Sequence, residues 1–452
     1  MAELTRSTTR SAWLDAYMAM QEWYGRAKLG IFLHWGIYAV NSTSESWAYY
    51  LGECSWDEYY AQASGFTGSA YDPDAWAALF AEAGARYAVL TTKHHDGVAL
   101  WDTAVAYPDG SRYSTVTATP AGRDLVTPYA EAVRRAGIKL GLYFSHLDWH
   151  HPEYATIRPS ADAFHPGMLA DRENSYSYPP EGQEDYAAWD RFRAFHRAQL
   201  EELCAYDPDI LWFDGAWERT PEQWHMAEVA GLLAAKAPHA VLNGRMGGYG
   251  DFATQEQALL ATPPAGPWEL CVTVNDSWGY KEHDANFKSI RQLVQLFVEV
   301  FAGGGNLLLD VGPTKDGTIP EVAASRLRGL GAWIRRNEEA VYETERGLGF
   351  GCFDGPTALS RDRKTLYLYL FGLPQEFVVV KGLTTPVARA RVVGTGTDLE
   401  HQRVGGLHKA AGWEYVVVDH TTHAADMDAY CTVIACDFDE PLELAPTDLS
   451  FD

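Results

Sequence analysis

The run Ile210-Leu211-Trp212-Phe213 is apolar at every position and closes on Asp214-Gly215. A strand with one face in water alternates apolar and polar side chains. A strand apolar on both faces is covered on both, as in a helix-flanked parallel sheet or barrel. The run therefore confines the chain to α/β architectures. It also places a carboxylate at the C-terminal tip, with a glycine behind it that lets the backbone turn away. Barrel enzymes set their chemistry at such tips. An isolated Asp-Gly is more often a turn or a helix cap, so the weight of the argument rests on the other strand tips.

Those tips repeat the pattern. Leu29 to Leu33 ends in His34-Trp35-Gly36, Tyr87 to Thr92 in Lys93-His94-His95-Asp96-Gly97, and Ile138 to Phe144 in Ser145-His146-Leu147-Asp148. Ala240 to Leu242 ends in Asn243-Gly244-Arg245, and Glu269 to Val274 and Asn306 to Val311 complete seven strand candidates. Amphipathic helical patterns fall between them, including Asp74 to Ala83, Leu125 to Ala136, Tyr186 to Tyr206 and Pro221 to Ala235. Gly84 stands where a helix C-terminus commonly ends. Strand–helix alternation at this spacing predicts βα units in a parallel (β/α)8-like barrel, with one unit irregular or missing, over residues 1–345. A doubly wound sheet is the alternative, and no glycine-rich phosphate loop supports it.

From residue 346 the pattern changes. Thr365 to Phe371, Glu376 to Val380, Val387 to Val393, Trp413 to Val418 and Tyr430 to Ile434 read as short strands between Gly, Pro and Asp turns. That predicts a C-terminal antiparallel β-sandwich over residues 346–452.

Composition narrows the function classes. A hydrophobic content of 47% with 16 Trp, 25 Tyr and 18 Phe supports a packed core, and surplus aromatics suit carbohydrate sites. A net charge of −25 argues against nucleic acid or anionic membrane as a partner. The opening Met1-Ala2-Glu3-Leu4-Thr5-Arg6-Ser7 has no hydrophobic stretch, and no later apolar run approaches membrane-spanning length. The six cysteines at 54, 204, 271, 352, 431 and 436 contain no CxxC pair. A reduced, cytoplasmic protein is the expectation; composition leaves its oligomeric state open.

The strand tips and following loops collect His34, His94, His95, Asp96, Tyr143, Asp214, Arg245 and Glu256. A retaining glycosidase needs two carboxyl groups roughly 5–5.5 Å apart, one attacking carbon and the other moving a proton. Histidines and a tyrosine can hold sugar hydroxyls. A metal hydrolase is the rival, since strand-tip histidines with an aspartate can hold a divalent ion. Against it, the first tip offers one histidine. His94 and His95 are consecutive, and on a regular strand their side chains diverge. No metal and no cofactor are expected.

These tips resemble the α-L-fucosidases of glycoside hydrolase family 29. The matching pieces are Gly30-Ile31-Phe32-Leu33-His34-Trp35-Gly36, Lys93-His94-His95-Asp96-Gly97, Gly141-Leu142-Tyr143-Phe144-Ser145 and Leu211-Trp212-Phe213-Asp214-Gly215. Asn243-Gly244-Arg245, Gly250-Asp251-Phe252-Ala253-Thr254-Gln255-Glu256, Trp268-Glu269, Ser277-Trp278-Gly279-Tyr280 and Gly304-Gly305-Asn306-Leu307-Leu308-Leu309 follow in the family's order. The resemblance implies a barrel followed by a β-sandwich and a retaining mechanism with Asp214 as nucleophile. It implies that His34, His94, His95, Tyr143 and Arg245 contact a terminal L-fucosyl unit of an oligosaccharide, and that Phe32 and Trp278 wall its C6 methyl group. Glu45, in Ser44-Glu45-Ser46-Trp47, stands one residue from the family's Glu-Trp and is the matching hydroxyl ligand. Phe144 replaces the second tyrosine of the family's Tyr-Tyr-Ser. Glu256 is the best match for the acid/base, with Glu218, Glu269 and Glu282 as alternatives. Within the fold the alternative activity is a related α-L-glycosidase such as an α-L-galactosidase. Outside it, the alternative is a catalytically silent sugar-binding barrel.

Overall fold

The computed structural model describes residues 22–154, 185–349, 351–372, 374, 376–405, 412–418 and 423–444. The opening residues 1–7, read above for a leader, lie outside these. Eight parallel strands make up the first sheet: β1 (Leu29–Leu33), β2 (Tyr87–Lys93), β3 (Lys139–Ser145), β4 (Ile210–Asp214), β5 (Val241–Leu242), β6 (Ala253–Glu256), β7 (Trp268–Thr273) and β8 (Asn306–Val311). Their order is β5-β4-β3-β2-β1-β8-β7-β6. The two ends meet through a parallel bridge between Asn243 and Phe252, and the Asp251 N–H donates to the Leu242 carbonyl. Beyond β5, the Asn243 side chain takes over the ladder: its Oδ1 accepts from Phe213 N at 2.8 Å and its Nδ2 donates to Phe213 O at 2.9 Å. The chain passes so close here that a Cβ on Gly250 would lie 2.3 Å from the Asn243 carbonyl oxygen.

The sequence reading found seven of these strands and missed β6. Ala253-Thr254-Gln255-Glu256 is four residues, none buried, and carries no strand periodicity. It is a strand because β7 pairs with it from Ala253↔Trp268 to Glu256↔Cys271. Glu256 therefore sits at a strand tip.

Along β4, Ile210 and Trp212 pack inside the barrel with Phe32, Tyr87, Tyr143 and Leu308. Leu211 and Phe213 pack outward against the helices, which is why the run is apolar throughout. The outer layer comprises α1 (Pro73–Ala83), α2 (Val126–Arg135), α3 (Tyr186–Cys204), α4 (Met226–Lys236), α5 (Ile290–Ala302) and α6 (Glu321–Arg336). α1 starts where the Asp72 side chain accepts from Ala75 N, with Pro73 at its first position, and ends at Gly84 with φ +87°. The pattern read as one helix from Pro221 to Ala235 is two, Pro221–Trp224 and α4, because His225 between them is left-handed at φ +52°.

Beyond the barrel, β9 (Thr344–Arg346), β10 (Thr357–Ser360), β11 (Thr365–Leu370), β13 (Arg389–Val392), β14 (Asp398–Leu399) and β17 (Thr432–Asp437) form one antiparallel sheet. A second contains β12 (Phe377–Leu383), β15 (His401–Gly405) and β16 (Gly412–Val417). Leu366, Leu368, Val380, Val416 and Ile434 fill the space between the sheets. The alternate residues Tyr367, Tyr369, Val433 and Ala435 face the barrel helices instead. There Trp333 Nε1 donates to the Cys431 carbonyl at 2.8 Å, and the Phe301 and Tyr369 rings meet at 5.4 Å. Cys204, Cys271, Cys352, Cys431 and Cys436 are free thiols. No helix among the described residues is long and apolar enough to cross a membrane.

Candidate active site

Six of the eight barrel strands, β1, β2 and β4 to β7, bring side chains from their C-terminal ends or the loops after them to one cavity of about 730 Å³, within the usual range for small-molecule sites. Phe32 and His34, Glu45, His94 and His95, Asp214, Arg245, Glu256 and Trp278 all line it. Tyr143 reaches it through a hydrogen bond from its hydroxyl to Asp214 Oδ2 at 3.1 Å. Every site residue implied by the family resemblance is therefore at this one place, whereas Asp96, collected with them from the strand tips, does not line the cavity and accepts from the Tyr59 hydroxyl at 2.8 Å and from Val98 N at 3.0 Å.

Asp214 lies on the cavity floor, only 8% exposed. Its Oδ1 accepts from Arg245 Nη1 at 2.7 Å and from the Gly215 N–H at 3.0 Å. The neighbouring nitrogen of the same guanidinium, Nη2, donates to Glu256. One arginine thus spans the two candidate catalytic carboxylates, with its plane 4.9 Å above the Trp212 ring. Burial works against charge on Arg245, but Asp214 and Glu256 outweigh it and keep the guanidinium firmly protonated. Tyr143 is kept protonated by burial and then by the negative Asp214, so it acts as a donor toward that carboxylate. Phe144, the next residue, points outward and lies under Lys93, 4.3 Å from its Nζ; alternation along β3 decides which of the two aromatics serves the site.

His94 and His95 were expected to diverge. The β2–β3 register shifts between Thr91 and Lys93, the strand ends, and both rings turn into the cavity with centroids 4.2 Å apart. Ser46 Oγ accepts the Asp96 N–H at 2.9 Å and lies 2.6 Å from His94 Nδ1, to which we assign its proton. Ser145 Oγ likewise accepts from Leu147 N at 3.0 Å and donates to His95 Nδ1 at 2.7 Å. Both imidazoles then carry their proton on Nε2, facing the cavity. Burial, followed by the other charges of the site, holds both well below the usual histidine range, so both are neutral donors. Ser46 is left-handed at φ +52°, and this turn lets both Glu45 and Trp47 line the cavity. Trp47 was not singled out from sequence. Nor was Asp310, which follows the matched Leu309 directly and lies 2.7 Å from His34 Nδ1.

The other glutamates are elsewhere. Glu269 is sealed inside the barrel, accepting from Tyr87 at 2.6 Å, Trp212 at 2.8 Å and Tyr24 at 3.3 Å, and burial pushes it up to about 7. Glu218 is buried with Tyr154 and pushed up to about 7 for the same reason. Glu282 is exposed, its backbone N–H donating to Ser42 Oγ at 3.0 Å. None of the three lines the cavity.

His94, His95 and Asp214 each offer an atom within 4.8 Å of the others, close enough to consider a metal. The donor set does not fit one. Both Asp214 oxygens already accept hydrogen bonds, and a guanidinium 2.7 Å from Oδ1 supplies the positive charge a divalent ion would bring.

The sequence model of the family described as Alpha-L-fucosidase matches residues 3–339. Tissue alpha-L-fucosidase from Mus musculus is 30% identical over 72% of this chain and 72% of its own length. Alpha-L-fucosidase from Branchiostoma floridae is 30% identical over 88% of this chain and 92% of its own. Among solved structures, alpha-L-fucosidase isoenzyme 1 from Paenibacillus thiaminolyticus is 31% identical, superposes with a TM-score of 0.81, and covers 94% of this chain and 100% of its own. Thermotoga maritima alpha-fucosidase, solved with a mechanism-based inhibitor, is 29% identical with a TM-score of 0.72, covering 92% of this chain and 96% of its own. With its barrel, its site and its relatives in agreement, the chain belongs to the α-L-fucosidase family of glycoside hydrolases.

Proposed function

We propose that this protein is a retaining, exo-acting α-L-fucosidase that removes terminal α-L-fucosyl units without a metal or cofactor. The observation that carries the reading is the single guanidinium of Arg245 bonded to both Asp214 and Glu256. Two carboxylates thus reach one cavity within the span of one guanidinium, and a double displacement needs such a pair to flank the scissile bond. Asp214 is the nucleophile: it is nearly buried, and Arg245, Tyr143 and the Gly215 N–H aim its oxygens. Glu256 is the acid/base, with a side chain 42% exposed at the mouth, where a leaving group departs and water arrives. A bound sugar's glycosidic oxygen takes over the Glu256 contact while Arg245 remains on Asp214.

His34, His94, His95 and Glu45 present three ring nitrogens and a carboxylate to the sugar hydroxyls. A polar wall of this kind rejects a wrong epimer because its buried groups go unpaired. Phe32 and Trp278, with ring centroids 6.1 Å apart, form an apolar wall for the C6 methyl. Such a wall disfavours an extra hydroxyl by only about 10²-fold, so α-L-galactoside is the expected slow substrate. The test is a panel of nitrophenyl glycosides assayed before and after dialysis against EDTA. α-L-Fucoside should be the best substrate and its rate unchanged by chelation. A faster α-L-galactoside would shift the reading to that activity. L-Fucose binding with no turnover would make this a silent barrel, and loss of rate on dialysis, restored by zinc or manganese, would return the metal reading.

A further inference from the structure

His34 has a different partner from the other two cavity histidines. Where those meet serine hydroxyls, His34 Nδ1 meets Oδ1 of Asp310 at 2.7 Å. Asp310 is at the end of β8, in register with Phe32 on β1 and Thr273 on β7, and is fully buried. Its Oδ2 makes no hydrogen bond among the described residues, although the backbone N–H of His34 gives the carboxylate further support. A buried carboxylate with an unsatisfied oxygen is costly. A neutral acceptor such as asparagine would serve as well if the only need were to hold the ring. What the carboxylate adds is charge.

We propose that Asp310 is a positioning residue that turns the Nδ1–H of His34 to β8 and keeps this ring a cation, so that Nε2–H gives a charge-assisted hydrogen bond to an L-fucosyl hydroxyl. The identity of the sugar rests on the functional reading above; the state of His34 does not. The groups facing His34 are Asp310 on β8, Glu45 after β1, Asp214 on β4, and His94 and His95 after β2. The rings of Phe32, Tyr143 and Trp278 enclose it. Burial opposes its charge, and Asp310, then Glu45 and Asp214, outweigh burial and raise it above the usual histidine range. The cavity thus holds one cationic and two neutral imidazoles, all three donors through Nε2. Charge-assisted bonds are about twice as strong as neutral ones.

Asp310→Asn keeps an acceptor for Nδ1–H and removes the charge. Loss of that charge lowers the pH at which His34 gives up its proton, so the alkaline limb of kcat/KM should move to lower pH by on the order of one unit. KM at neutral pH should rise about fivefold to tenfold while kcat changes by less than about threefold, because the bond serves ground state and transition state alike. Asp310→Ala, which also frees the ring, should raise KM further. The His34 signal in ¹⁵N-histidine spectra of the unliganded full chain, identified by its loss in His34→Gln, should titrate at lower pH in Asp310→Asn. Overlapping pH profiles and titrations of Asp310→Asn and the parent would overturn the proposal. So would a parallel fall of kcat and Tm in both Asp310 variants, which marks a merely structural residue. A parent chain that cleaves no α-L-fucoside would refute the functional reading alone, since the histidine titration is measured without substrate.

Discussion

Replacing Asp214 with glycine should slow hydrolysis of aryl α-L-fucosides by on the order of 10³–10⁵-fold, the scale on which removing a covalent nucleophile acts. The fold should persist. The Asp214 carbonyl still accepts from His146 N at 2.8 Å, Arg245 keeps Glu256, and the vacated space opens on the cavity instead of the core. Azide fits where the carboxylate was, attacks the anomeric carbon from the same face, and should restore part of the rate with a β-configured fucosyl azide as product. An Asp214→Gly protein with near-parental activity would remove Asp214 from the mechanism.

The second large effect is expected at Glu256, and it depends on the leaving group. Alanine there should slow natural fucosyl-oligosaccharides by on the order of 10²–10⁴-fold, because a sugar alkoxide cannot depart unprotonated. Activated aryl fucosides should change by less than about tenfold in the first step, since their phenolate needs little help. The fucosyl-enzyme still forms on Asp214, so azide should intercept it and give the α-configured product, the opposite anomer from the nucleophile variant. Parental rates on natural glycans would instead move the acid/base role to Glu45, the other glutamate lining the cavity, and not to the buried Glu218 and Glu269 or the outlying Glu282.

Both carboxylates were legible in sequence, for unequal reasons. Asp214 ends a strand apolar on both faces, a signal that periodicity alone carries. Glu256 ends β6, whose residues show none, because the strand depends on pairing with β7 for its existence; only the resemblance to known fucosidases pointed to it. The barrel was readable because seven strands carry their own apolar cores, including β5, which stops at two residues and whose pairing Asn243 completes through a side chain. The same limit hid β9, β10, β14 and β15 in the second region, each of two to five residues. His94 and His95 could not be placed together by strand alternation, since a register shift decides it. Asp310 was invisible as a partner of His34, the two being 276 residues apart and joined only by barrel closure.

The most direct test is to label the reacting carboxylate. The protein should be incubated with 2-deoxy-2-fluoro-α-L-fucosyl fluoride, which is activated at C1 but slow to hydrolyse once attached, then digested with pepsin and sequenced by mass spectrometry. One fluorofucosyl unit per chain, on the peptide containing Asp214, with activity falling in step with labelling, is the predicted result. An adduct on any other residue, or no adduct in an enzyme that still turns over α-L-fucosides, would contradict it.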